Sequence, residues 1–382
     1  MKICTGLEDI KGDYRMKDIR LDNGWQMHQV GQDEWIPATV PGSVYGDLLT
    51  AGKMEDPFWK DNEDEALKLM EHDYEYVTHF SCEKELLVLS EVLLRFDGLD
   101  TIADITLNGS QLGHVENMHR TWIYPVKHLL KEEKNELRLH FYSPTKYIAD
   151  AYEKAPTKGT EDAMNGFVHL RKAHCMFGWD WGAHLPDAGI FRPVYLLGID
   201  TAYLDTVEVL QYHEDGRVRI HCNPVIETME QSAHTKQEFP VTITLTDPDG
   251  ERIFQGSAGE DILVSALSST WLDRVAPPDI DIYREYVSYQ AVMDDVVVSE
   301  GTVIFSYPKY FRYEKPALLA KVEGNRITVA ADCYAKSVEI LNDNEDLILS
   351  DNYFDLNGGE KTVEVLSGTV DHLRLRSVYD IS

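Results

Sequence analysis

Basic residues are scarce in this sequence. Lys and Arg number 36 against 66 Asp and Glu, a formal net charge of −30 over 382 residues. No Lys/Arg cluster occurs, which argues against phosphate contact and hence against nucleic-acid or anionic-membrane binding. Cysteine is sparse as well. Cys4, Cys82, Cys175, Cys222 and Cys333 lie far apart, odd in number, with no CxxC pair and no zinc spacing. They predict reduced, mostly buried thiols rather than a disulfide frame. No apolar run is long enough to span a bilayer, and the opening "MKICTGLEDIKGDYR" lacks the apolar stretch of a secretion signal. A soluble, cytoplasmic protein is expected. There is neither a GxSxG elbow nor a phosphate-cradling glycine loop, and no cofactor is expected.

What the sequence does carry is period-two alternation. Val92, Leu94 and Phe96 share one strand face in "EVLLRFDG". Ala103, Ile105 and Leu107 do so in "ADITLNG", which ends on the hairpin turn Asn108-Gly109. Leu137, Leu139 and Phe141 alternate with Glu136, Arg138 and His140. Each of these strands is expected to have one buried and one wet face. Helical signal is thin: Ser43 can cap a short helix in "PGSVYGDLL", and "DEALKLMEH" is a second candidate. From about residue 201 further strands follow, among them Val207/Val209, Val218/Ile220 and Val241/Ile243/Leu245, with "DPDG" at 247–250 as a turn. A third set runs from Ile327, Val329 and Ala331 through Val338 and Ile340 to Val363 and Val365. Short strands at regular spacing predict an all-β fold of successive β-sandwiches.

Several blocks, in order, resemble one family: "WIPATVPGSVYGDLL", "DPFWKDNE", "DYEY", "LLRFDGLDTIADITLNG", "ENMHRTW", "RKAHCMFGWDWG" and "GIFRPVYL". They are similar to the N-terminal, sugar-binding jelly-roll (galactose-binding-like) domain of the β-mannosidases of glycoside hydrolase family 2. "FSYPKYFRYEKP" and "LSDNYFDLNGGEKTVEV" resemble the C-terminal sandwich of the same enzymes. The implied domains are a jelly roll over 1–200, an immunoglobulin-like sandwich over 201–308 and a second one over 309–382. In the family a catalytic (β/α)₈ barrel of roughly 250 residues lies between these ends. Here residues 196 and 308 bound an interval of about 110 residues, all strand in pattern, and the barrel does not fit. Residues 201 to about 255 resemble the opening half of one immunoglobulin-like domain. Those from about 262 to 308 resemble the closing half of another, so the middle sandwich is expected to be fused near 255–265.

A retaining glycosidase of this kind needs two carboxyls about 5 to 5.5 Å apart. The family's acid/base glutamate follows an asparagine. Asn62-Glu63, Asn135-Glu136 and Asn344-Glu345 are the three such pairs here, and none sits in the setting of the barrel motif, so no catalytic residue is assigned. His169, His174 and His184 have spacings of five and ten, which suit structural histidines better than metal ligands, and no metal site is assigned.

The remaining motif is "HCMFGWDWGAHLP", residues 174–186. By resemblance, Trp179 and Asp180 line a subsite for the mannosyl ring: an indole stacks on the apolar face of a sugar, and a carboxylate accepts hydroxyl hydrogen bonds. Trp181, as a core side chain, and Arg171, as an ion-pair partner of Asp180, are the expected supports. Ala183 stands where the family usually has proline. Tyr45, Leu48, Leu49, Trp122 and Tyr124 are expected to pack rather than to bind. Three functions follow. The first is a β-mannosidase-like scaffold without a barrel, inactive alone and at most a weak glycan binder. The second is a carbohydrate-binding module. The third is the non-catalytic part of an active β-mannosidase, cleaving terminal β-D-mannosyl residues once a separate barrel subunit completes it.

Overall fold

The computed structural model describes residues 16–199, 202–214, 217–228, 236–237, 241–246, 252–258, 262–263, 269–271, 274–276, 280–293 and 296–382. The "DPDG" turn and the opening fifteen residues with Cys4 lie outside the described residues, as does much of the 255–265 junction. Two compact units are present, Arg15–Asp200 and Thr201–Ser382.

The first unit is a β-sandwich. One sheet has the order β1-β12-β5-β8, from Met16–Arg20 (β1), Glu91–Phe96 (β5), Trp122–Pro125 (β8) and Val194–Ile199 (β12). The other has the order β3-β2-β4-β9-β6-β7. Its strands are Gln26–Gln29 (β2), Ile36–Pro37 (β3), Tyr74–Phe80 (β4), Ile102–Leu107 (β6), Ser110–Glu116 (β7) and Asn135–Phe141 (β9). A separate hairpin pairs Phe177–Trp179 (β10) with Gly182–His184 (β11).

The alternation explains the sandwich. Leu137, Leu139 and Phe141 of β9, Tyr74 and Tyr76 of β4, and Val92, Leu94 and Phe96 of β5 are buried in one core, while Glu136, Arg138 and His140 stay half-exposed. Each such large apolar side chain contributes about 1.5–3 kcal/mol on burial. Strand β5 departs from the expectation of a wet face, since Leu93 and Arg95 are buried too. It is an inner strand between β12 and β8, and Arg95 satisfies its guanidinium on Asp97 at 2.6 Å. The β6–β7 turn is as expected, with Asn108 and Gly109 at φ 51° and 80°.

Helix α1 (Val44–Thr50) starts where Ser43 Oγ accepts the Gly46 N–H at 3.3 Å. Tyr45 and Leu48 are buried, but Leu49 is not: the helical period turns it about 100° away from Leu48 into solvent. Helix α2 (Asn62–Leu69) overlaps the second expected helix. Helices α3 (Lys84–Leu87) and α4 (Pro144–Lys154) were not legible from apolar periodicity. The Ser-Pro cap of α4 was an available signal: Ser143 Oγ accepts the Lys146 N–H at 3.1 Å, and Pro144 occupies the first turn.

In the second unit Ala202–Glu214 (β13), Arg217–Thr228 (β14) and Ser269–Trp271 (β19) form one sheet, and Lys236–Gln237 (β15) pairs with Ile262–Leu263 (β18). A four-stranded sheet has the order β17-β16-β20-β21, from Val241–Thr246 (β16), Arg252–Ala258 (β17), Tyr286–Met293 (β20) and Val296–Val303 (β21). The last sheet holds Leu319–Glu323 (β22), the long Arg326–Leu341 (β23), Ile348–Leu349 (β24), Phe354–Ser367 (β25) and Arg374–Arg376 (β26). Tyr286 of β20 stacks on Tyr334 of β23 at 4.1 Å, and Thr302 Oγ1 donates to Asp355 at 2.6 Å. Among the described residues every pair of strands is antiparallel.

Candidate functional site: a tryptophan hairpin on a buried ionic base

Residues 177–184 form a hairpin with Asp180 and Trp181 at its tip. Phe177 and Trp179, two residues apart on β10, share one face of the strand; Phe177 is buried at the base, whereas Trp179 beside the turn is exposed. Phe177 is buried with Ile102, Ile148, Phe167 and Leu170 in a small cluster of its own, which fixes the hairpin's base. Gly178 has φ +95°, and a Cβ there would lie 2.2 Å from His184 Cδ2. Glycine is therefore required so that the His184 ring can close over the strand.

That ring is tied down on both sides. His184 Nδ1 lies 2.6 Å from Glu63 Oε1, which also accepts the His184 backbone N–H at 2.8 Å. His184 Nε2 lies 3.0 Å from the Asp162 carbonyl. Each ring nitrogen thus has an oxygen partner within hydrogen-bond reach. Glu63 thus has a holding role from helix α2.

The two ends of the segment meet at Lys172. Its ammonium is fully buried, pairs with Asp100 and donates to the Asp187 carbonyl at 2.8 Å. Burial pushes the Lys172 pKa down, opposed chiefly by the Asp100 carboxylate. The Asp187 carboxyl is pushed up to about 6 by burial, against hydrogen bonds from the Ser43 hydroxyl and the Tyr45 and Ala188 N–H groups. Residues 172–187 are in this way closed into a loop by a buried cation, with the tryptophans at the outer end. Lys172, Asp187 and Asp100 were not singled out in the sequence. Lys172 and Asp100 lie inside the quoted blocks and Asp187 directly follows one, but nothing local distinguishes a buried charge from a solvated one.

Trp179 is 45% and Trp181 80% exposed, and Asp180 is exposed between them. The expectation of a core Trp181 is thereby corrected: a side chain at the tip of a two-residue turn has no layer to pack against. Arg171 makes no ion pair with Asp180 among the described residues. Its backbone carbonyl accepts the Met118 N–H at 3.0 Å, while its side chain is exposed. Phe58 and Trp59, in the segment leading into α2, are 77% and 63% exposed. Trp122 and Tyr124 lie half-buried on the edge strand β8.

The other candidates have separate settings. His169 Nε2 lies 3.0 Å from the Ala155 carbonyl, and His174 packs edge-on to Phe167 at 4.8 Å. Asn135 is buried and bonded to Asn108 and the Lys131 backbone, and Glu136 faces His79 at 3.2 Å. Glu345 occupies a turn at φ 55°. Chemically, the hairpin offers aromatic faces and one carboxylate: a surface for stacking and hydroxyl recognition.

Comparison with known proteins gives this geometry a lineage. Residues 25–192 match the family described as glycosyl hydrolase 2 galactose-binding domain-like, and residues 313–381 match an Ig-fold domain of mannosidases. The chain is 30% identical to mouse (Mus musculus) β-mannosidase over 205 residues, which is 51% of this chain and 23% of that protein. It is 28% identical to β-mannosidase B of Aspergillus clavatus over 293 residues, 72% of this chain and 34% of that protein. The crystal structure of β-D-mannosidase from Dictyoglomus thermophilum superposes with a TM-score of 0.62 at 25% identity, covering 84% of this chain and 40% of that one. The matched part spans about a quarter of the length of the mammalian relatives. The chain therefore carries the N-terminal galactose-binding-like domain and the Ig-fold mannosidase domain of glycoside hydrolase family 2, and is a relative of the β-mannosidases.

Proposed function

We propose that this polypeptide is a non-catalytic, glycan-contacting component of β-mannosidase descent, unable on its own to cleave a glycosidic bond. The observation that carries the reading is the hairpin, which holds Trp179 and Asp180 in solvent on a base fixed by Glu63 and Lys172. A mannosyl ring stacked on Trp179 would place hydroxyls against the Asp180 carboxylate. One stacking platform without further walls gives weak affinity, with Kd on the order of millimolar. Absence of turnover is favoured by the antiparallel pairing of the described strands and by the structural settings of Glu63 and Glu136. The middle sandwich is read as a fusion of two half-domains, followed by the sandwich over 309–382.

A second reading has support of its own. Phe58 and Trp59 are exposed in the segment leading into the helix that anchors the hairpin. Such an aromatic surface suits docking onto a separate barrel-bearing subunit, which would complete the subsite.

The test is direct. Purified chain should leave p-nitrophenyl β-D-mannoside intact and should bind methyl β-D-mannoside weakly, with binding lost in Trp179→Ala. Turnover by the purified chain would overturn the reading, and titrations indistinguishable between wild type and Trp179→Ala would remove the hairpin from it. Turnover that arises only on adding a barrel-bearing protein would establish the docking reading.

A further inference from the structure

The outward face of the six-stranded sheet carries a pattern that the hairpin does not use. Strand register places His28, Glu75, His140, Asp104 and His114 side by side on five neighbouring strands, a row alternating imidazole and carboxylate. One residue pair along, Arg138, Thr106 and Gln111 form a second row. Glu75, His140 and Asp104 of the first row and all three residues of the second border a cleft of about 330 Å³, at the lower end of the range for small-ligand sites.

The first row is rigidly held. Glu75 Oε2 accepts from Arg138 at 2.9 Å and lies 3.2 Å from His28 Nε2, while its Oε1 lies 3.3 Å from His140 Nδ1. Asp104 pairs with His114 at 2.8 Å and accepts the Tyr142 hydroxyl at 2.6 Å. These donors hold both carboxyls below their usual range despite partial burial. The second row is different. The Thr106 hydroxyl and the Gln111 amide have no hydrogen-bond partner among the described residues, and Arg138 retains a terminal nitrogen without one. The Tyr142 ring, edge-on to His140 at 4.7 Å, adds a half-exposed aromatic surface.

We propose that this face is a second carbohydrate-binding site, taking a neutral glycan residue across Arg138, Thr106 and Gln111 with Glu75 and Asp104 as hydroxyl acceptors. The charge pattern selects the class. An anion would meet two carboxylates and a cation would meet the guanidinium, whereas a hydroxyl donates to the former and accepts from the latter. Free neutral donors set between fixed charges suit a ligand that offers both roles at neighbouring atoms. The site shares no residue with the tryptophan hairpin and does not depend on it.

The experiment uses the full chain with Trp179→Ala and Trp181→Ala, so that hairpin binding cannot contribute. Mannotriose, cellotriose and xylotriose, all β-1,4-linked, are titrated by calorimetry. At least one should bind, and adding Gln111→Ala or Thr106→Val should weaken it by roughly five- to tenfold each, the loss of one hydrogen bond. Neither side chain has a protein hydrogen bond to lose, so folding is retained, which a far-UV melt verifies. No binding by any of the three sugars, or binding indifferent to both substitutions, would overturn the proposal. Loss of mannoside binding in Trp179→Ala alone bears only on the hairpin.

Discussion

Replacing Lys172 by methionine removes a charge from a site where, among the described residues, no other cation pairs with Asp100. The aliphatic stem is retained, so no cavity opens, and the cost is electrostatic. Asp100 is 6% exposed and would be left as a buried, unpaired carboxylate, which costs about 3–5 kcal/mol. The lost bond to the Asp187 carbonyl adds about 1 kcal/mol. Against a domain stability of about 5–15 kcal/mol, the first unit should be severely weakened.

Adding Asp100→Asn to Lys172→Met should recover most of the loss at pH 7. Urea unfolding at pH 7, followed by far-UV circular dichroism and tryptophan fluorescence, compares the wild type with both variants. A cost below about 1 kcal/mol at pH 7, or no recovery in the double variant, would refute the role of Lys172 as the buried clamp of the loop.

Gly178→Ala should disorder the hairpin selectively, because its Cβ would meet the His184 ring at 2.2 Å at a φ of +95°; limited proteolysis should cut near residues 178–184 while far-UV dichroism is kept. Glu63→Ala frees the His184 ring and its N–H. At a half-exposed site that is a loss of about 1–2 kcal/mol, read as a lower melting temperature and a changed Trp fluorescence maximum. Asp187, raised from 3.8 to about 6, opposes folding when ionised. Its contribution is favourable at low pH and is lost as pH rises through about 6, so Asp187→Asn should flatten the stability profile between about pH 4 and pH 6. Glu75 and Asp104 have the opposite sign: their stabilisation is present above the usual carboxyl range and disappears in acid. Glu75→Gln should therefore reduce the destabilisation seen below about pH 4.

The sequence by itself determined the strands and the lineage. A strand's side chains alternate with period two whatever lies around it, so Leu137, Leu139 and Phe141 announced an inner face that the sandwich then filled. The Asn108-Gly109 turn and the Ser43 cap were equally local, each satisfied within a few residues. Tertiary structure decided the rest. Whether Trp181 is core or exposed depends on what stands opposite it, and among the described residues it is 80% exposed. Glu63 acts on a histidine 121 positions away, and Lys172 finds Asp100 across 72 positions. Charge is a property of a residue, but burial and partnership belong to the fold, and so the same lysine letter can mean a solvated surface or the buried centre of a site.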